Sequence, residues 1–232
     1  MATQRFDEIN VLKRRSLPYE EYFGEMDLTP KQKTARIHLA PILEEIIMIF
    51  FDVMETRFEM GMMNESLAKQ DLTYQLYDVI SEGEYFGNPE NEDAERQMNK
   101  YIVKIVDDIY NSTVDNMTNH PNDYSYDEEK PYWVSTDRAM FIAENESNTL
   151  FNVKEFVDAS AKGYTHKIWM AYNDNRVRDT HLQTNGAKIP IGSYFDVGAA
   201  RMLYPKDVTS EFSTGAEHPE EVVSCRCTIL YI

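Results

Sequence analysis

The stretch STDRAMFIAENESNTLFNVKEFVDASAKGYTHKIWMAY, residues 135–172, holds a long helix and a strand in direct succession. Ser135 or Thr136 offers an N-cap. Arg138, Ala139, Ile142, Ala143, Leu150, Phe151, Val153, Phe156 and Val157 then recur at helical spacing as far as a stop at Gly163. Residues 167–172 read as a strand rich in sheet-favouring side chains. Behind them come a polar segment over 173–181, a tight turn at Asn185 and Gly186, a second turn at Tyr204, Pro205, Lys206 and Asp207, and an apolar strand within the last nine residues. That order predicts an α+β domain over residues 134–232, built of one long helix and a small, mainly antiparallel sheet.

Upstream the pattern is helical throughout. Thr29, Pro30 and Gln32 form a capping-box start with proline at the first helical position. Ile37, Leu39, Ile42, Leu43, Ile46, Ile47, Ile49, Phe50, Val53, Met54 and Phe58 follow as a stripe wide enough to bury two faces, with Pro41 expected to bend or interrupt it. A second helix is expected over 64–81, with Leu67, Leu72, Leu76, Tyr77, Val79 and Ile80 inward. A third is expected over 91–119, carrying Met98, Tyr101, Ile102, Ile105, Val106, Ile109, Tyr110, Val114 and Met117. The expected organisation is an arm over 1–28, an acidic helical bundle or lever over 29–119, a linker over 120–133 and the α+β domain over 134–232. The linker, with His120, Pro121, Pro131 and four aromatics, reads as a hinge or strap.

The chain has 232 residues with 40 acidic and 23 basic side chains, a net charge of -17 that opposes a broad nucleic-acid-binding surface. Residues 1–132 carry -14 of it and residues 133–232 only -3, so the two halves should meet different partners. Two cysteines make no disulfide framework and suit a reducing compartment. No apolar signal segment opens the chain, and the greasiest run, residues 46–51, is far too short to cross a bilayer. The methionines at 48, 54, 60, 62, 63 and 98 fit either an irregular helix core or a soft recognition groove.

Few residues invite chemistry. Glu44 and Glu45, like Asp107 and Asp108, are adjacent carboxylates that diverge on a helix and read as solvated faces. Asp174, Arg176 and Arg178 alternate and share a face if extended, which suits an ion network or contact with phosphate. Cys225 and Cys227 also alternate, so their thiols share one side and Arg226 the other. With His181 or His218 they can supply zinc ligands, although C-x-C without a second C-x-x-C is not the usual closed pattern. Reduced buried cysteines and a strained disulfide are the alternatives. A nuclease would require His181 beside Asp174, Asp179 or Asp207.

Taken in order, RAMFIAENESNTLFN, KIWMAYNDNRVRDTH, NGAKIPIGSYF, LYPKD and HPEEVVSCRCTILYI resemble the C-terminal domain of the minor capsid or head-morphogenesis family of tailed phages, the phage Mu F-like family. The matching positions are Arg138 and Glu144 in the helix, Trp169 in the strand, and Asp174, Arg176, Arg178 and His181 in the central segment. Gly186, Phe195, Pro205 and Asp207 match in the turns, and His218, Pro219, Cys225, Arg226 and Cys227 match at the close. Some relatives carry C-x-x-C where this chain has Arg178, Asp179, Thr180 and His181, so both cysteine positions are filled by other residues here.

The resemblance implies a non-enzymatic minor head protein in the virion or procapsid interior, assembled in the bacterial host cytoplasm. The expected partners are the portal, capsid or scaffold proteins or further copies of the chain, with weak contact to packaged DNA and none to a membrane. Docking would run through Ile42, Ile46, Phe50, Met54, Ile105 and Ile109, while Arg138, Glu144, Asp174, Arg176, Arg178, Asp207 and Arg226 would form a structural charged cluster. No cofactor is expected, with zinc left open as the exception. The alternative is a metal-dependent nuclease or toxin-like effector centred on His181.

Overall fold

In the computed structural model, which describes residues 19–21, 29–88, 90–124, 130–172 and 177–232, the first long helix starts at the expected cap. Thr29 Oγ1 accepts the Gln32 N–H at 3.2 Å, and Gln32 Oε1 accepts the Thr29 N–H at 3.1 Å, so two orphan donors of the first turn are satisfied reciprocally. Helix α1 spans Pro30–Glu59 and runs on through Pro41. The proline removes one intrahelical bond, but buried Leu39, Ala40 and Leu43 anchor both sides of it, and tertiary packing rather than propensity decides. Thr29→Ala is expected to lower stability by about 1 kcal/mol in urea unfolding, with Thr29→Ser retaining most of it. Equal losses in the two variants would count against the hydroxyl as the cap.

Helices α2 (Glu65–Glu82), α3 (Glu92–Asn119) and α4 (Thr136–Ala161) fall within two residues of expectation, and a 3₁₀ turn, Tyr132–Val134, precedes α4. Together with the antiparallel sheet described below, they give the α+β class. The compact units do not follow the expected segments, however. One unit comprises Met1–Leu76 with Val103–Ser147, the other Tyr77–Ile102 with Asn148–Ile232. Helices α2, α3 and α4 are each long enough to supply apolar side chains to both, so no boundary falls near residue 134. Of the expected arm, only residues 19–21 are described.

The first unit buries Leu43, Ile46, Ile47, Phe50, Phe51 and Met54 of α1 with Leu72 and Leu76 of α2, Ile105, Val106 and Ile109 of α3, and Val134, Ala139 and Ala143 further on. Leu67, expected inside, is exposed. Buried Arg36 pairs with Glu144 at 3.0 Å. The described ends of the expected linker return on themselves: Tyr124 bridges to Pro131, the Tyr132 N–H donates to Asp123 O at 2.7 Å, and Trp133 meets the Phe58 ring edge-on at 6.0 Å.

In the second unit the central strand β1 (His166–Met170) pairs antiparallel with β2 (Lys188–Pro190) on one side and with β5 (Thr228–Tyr231) on the other. Strands β3 (Phe195–Val197) and β4 (Ala200–Met202) form a separate hairpin. Two short helices, α5 (Asp179–Thr184) and α6 (Pro219–Val222), lie in the connections. The turn after α5 needs Gly186, whose φ of +79° is in the left-handed region. There its N–H reaches Trp169 O at 2.8 Å, while the Trp169 N–H reaches Ala187 O at 3.1 Å.

Candidate functional site

Strand alternation puts Lys167 and Trp169 on the same, inward side of β1, and both are fully buried. The Trp169 indole meets Phe195 edge-on at 5.2 Å and the His181 ring at 5.8 Å. His181 is buried in α5, whose N-cap residue Arg178 holds the Val223 carbonyl through Nη2 at 2.5 Å. The loop before β5 and the helix bearing His181 are thereby tied to each other.

Cys225 and Cys227 lie in the segment just before β5, and both are buried free thiols, with Arg226 between them over the Tyr172 ring at 4.9 Å. Ser224 leads into this segment at φ +57°, a left-handed backbone that a non-glycine residue adopts at a cost of about 1–2 kcal/mol. Two asparagines one turn apart on α4 hold the segment in place. Asn148 Nδ2 donates to Cys225 O at 2.7 Å and Asn152 Nδ2 to Cys227 O at 3.4 Å.

The two sulfurs converge on one imidazole nitrogen. His181 Nδ1 lies 3.2 Å from Cys227 Sγ and 3.6 Å from Cys225 Sγ, and the ligand atoms of these three residues all lie within 4.8 Å of one another. On the far side of the ring, Nε2 is 3.1 Å from Glu221 Oε2, an oxygen that also accepts the Thr180 hydroxyl at 2.8 Å. Cys227 and His181 hydrogen bonds hold the Cys225 thiol well below its ordinary pKa against the opposing effect of burial. Cys225, together with burial, pushes Cys227 up. Burial works against a charged His181, yet Cys225 and the Glu221 carboxylate keep its pKa above the ordinary value. The cluster is therefore a buried polar knot in which Cys225 is the more acidic of the two thiols.

The other expected residues lie elsewhere. His218 is not part of the knot and sits with Nδ1 3.0 Å from Glu220 Oε1. Asp207 accepts the backbone N–H groups of Leu203, Thr209 and Ser210, which makes it the organiser of its own turn. The carboxylate bonded to His181 is Glu221, and Asp179 is exposed, so among the described residues the acids a nuclease would need are not gathered at His181. Asp174 and Arg176 lie outside the described residues. The described members of the expected charged cluster are thus distributed over separate local tasks. Arg138 and Glu144 serve the first unit, and Arg178, Asp207 and Arg226 serve the second.

The docking stripe also requires correction. Ile46, Phe50, Met54, Ile105 and Ile109 are buried in the first unit's own core, and of the six only Ile42 is open, at 44%. Most of the wide stripe is consumed by intramolecular neighbours, while Ile42, Ile49 and Phe58 stay exposed. Sequence reasoning missed Glu221, Asn148, Asn152 and buried Lys167. The asparagines did leave a signal, as polar residues four apart on the otherwise apolar side of a helix.

Residues 90–230 match the family described as phage Mu protein F like protein. No curated protein and no solved structure matches the chain. The match takes in the second half of the helical region, the sheet and the whole histidine–cysteine knot, more than half of the sequence, and the chain belongs to the phage Mu protein F like family, a family of phage head morphogenesis.

Proposed function

We propose that the chain is a non-enzymatic minor head protein that associates with the portal inside the procapsid and assists head assembly or DNA packaging and ejection. It would be made with the capsid in the host cytoplasm. The observation that carries this reading is the family match over residues 90–230. The first unit supplies a surface suited to it. Around the turn between α1 and α2, Phe58, Met60, Met62 and Leu67 are exposed, the two methionines at 63% and 60%. Apolar groups left open in this way, on an acidic and otherwise polar surface, suit a portal, capsid or scaffold protein or a second copy of the chain.

The net charge of -17 repels the DNA backbone, which keeps DNA a minor partner and leaves the protein on its protein neighbour. Among the described residues no helix is long and apolar enough to cross a membrane.

Co-expression with the portal protein encoded beside it, followed by affinity capture and native mass measurement, tests the proposal. A defined complex that survives nuclease treatment is expected. Loss of the complex on nuclease treatment would make DNA the tether, and a lone monomer under all conditions would overturn portal association.

A further inference from the structure

We propose that His181, Cys225 and Cys227 form a zinc site, with Glu221 as the outer carboxylate that orients the histidine. The geometry is that of a coordination shell. A tetrahedral ion with bonds of about 2.1 Å to nitrogen and about 2.3 Å to sulfur separates those ligand atoms by about 3.6 Å. The observed separations from Nδ1 are 3.2 Å and 3.6 Å. The three side chains come from two different parts of the unit, α5 and the segment before β5, yet all their ligand atoms lie within 4.8 Å of one another.

The outer shell points the same way. Glu221 Oε2 lies 3.1 Å from Nε2, placed to accept a proton there, and in that tautomer the Nδ1 lone pair faces the sulfurs, the arrangement that prepares a histidine for a metal. Thr180 fixes that same oxygen, and Asn148 and Asn152 hold the carbonyls of both cysteines, so the ligand backbone is braced before any ion arrives. Two thiolates and an imidazole form a soft donor set that favours zinc over magnesium or calcium. The two sulfur charges balance the ion, and loading releases the thiol protons to solvent.

One histidine and two cysteines leave a fourth position for a solvent molecule or a further side chain. Burial of all three ligands among Trp169 and its neighbours suits a structural role, pinning α5 to the start of β5. The site does not depend on the head-protein reading.

The test uses the full chain, expressed with zinc in the medium and purified without chelator. Native mass and elemental analysis should find one zinc ion per chain. Stripped protein refilled with cobalt should show a sulfur-to-cobalt charge-transfer band. Cys225→Ser and His181→Gln should each cut zinc affinity at least a hundredfold, and Glu221→Gln should cut it about 10–100-fold while leaving the cobalt band in place. Because a ligand variant can fail to fold, the deciding measurement is on the unaltered chain: competition of stripped, folded protein against a chromophoric chelator. Folded protein that takes up no zinc and gives no cobalt–sulfur band would overturn the site, and so would zinc retained undiminished in a folded Cys225→Ser, Cys227→Ser double variant.

Discussion

Replacing Arg138 by alanine is expected to destabilise the protein by about 3–5 kcal/mol, among the largest losses any single change outside the sheet would cause. Arg138 is 4% exposed, and its guanidinium binds four neutral groups. Nη1 donates to Trp133 O at 2.7 Å and to Thr113 Oγ1 at 2.8 Å, while Nη2 donates to Ser112 Oγ at 2.8 Å and to Ile109 O at 3.4 Å. The Phe51 ring lies beneath it, 4.7 Å away. One side chain thus ties α1, α3 and the 3₁₀ turn to the start of α4. Burial lowers its pKa to about 10, which leaves it charged at neutral pH.

Truncation strips the buried Trp133 carbonyl of its donor and opens a cavity under Phe51. Arg138→Lys should also be costly, since one ammonium cannot span the fork from Trp133 to Ser112. Arg138→Met should be the mildest of the three, because Thr113 and Ser112 keep their own bonds to the Ile109 and Asp108 carbonyls, at 2.6 Å each. Urea unfolding followed by circular dichroism ranks the variants. A loss below about 1 kcal/mol for Arg138→Ala would show that the arginine is not the node.

Arg138 also shows what the sequence could and could not reveal. The motif singled it out beside Glu144, six residues along the same helix, but apart from the Trp133 carbonyl its partners lie about one helix earlier in the chain, at 109, 112 and 113. Neutral carbonyls and hydroxyls leave no charge pattern to read. Local signals were legible because their physics is local. Thr29 and Gln32 cap one turn, and Cys225 and Cys227, two residues apart, are both buried as a shared side of the chain requires.

The two units were not legible, since helical periodicity runs unbroken from one into the other along α2, α3 and α4. The methionines divided for a similar reason. Met54, Met98 and Met117 fill the core, whereas Met60 and Met62 stay open at a turn where no neighbour covers them. Of the knot around His181, the cysteines and the histidine were named as candidates. Glu221 was not, because a carboxylate in Pro219–Val222 reads as an ordinary helix-start acid until the chain folds it onto Nε2.

Lys167 should make stability rise with pH across the neutral and alkaline range. Strand alternation forces it inward beside Trp169, where its ammonium donates to the Leu203 carbonyl and sits over the rings of Phe156 and Phe195, 5.3 Å and 5.2 Å away. Burial lowers its pKa from 10.5 to about 7, only partly opposed by the negative field of Asp207. Between those two values the unfolded chain holds a proton that the folded chain does not, so stability increases with pH. The gain is complete above the unfolded value and is lost as pH falls through about 7. Across the whole window the effect is at most roughly 5 kcal/mol.

Lys167→Met keeps the apolar stem and removes the titration. Its stability relative to the unaltered protein should therefore drop by about 2–3 kcal/mol between about pH 6 and about pH 9, whatever constant offset the lost bond to Leu203 contributes. Chemical unfolding of both proteins at several pH values measures that difference directly, and titrations elsewhere in the molecule cancel from it. A difference that stays flat over the range would mean that Lys167 remains protonated in the fold, held by Leu203 and Asp207 more strongly than burial expels its charge.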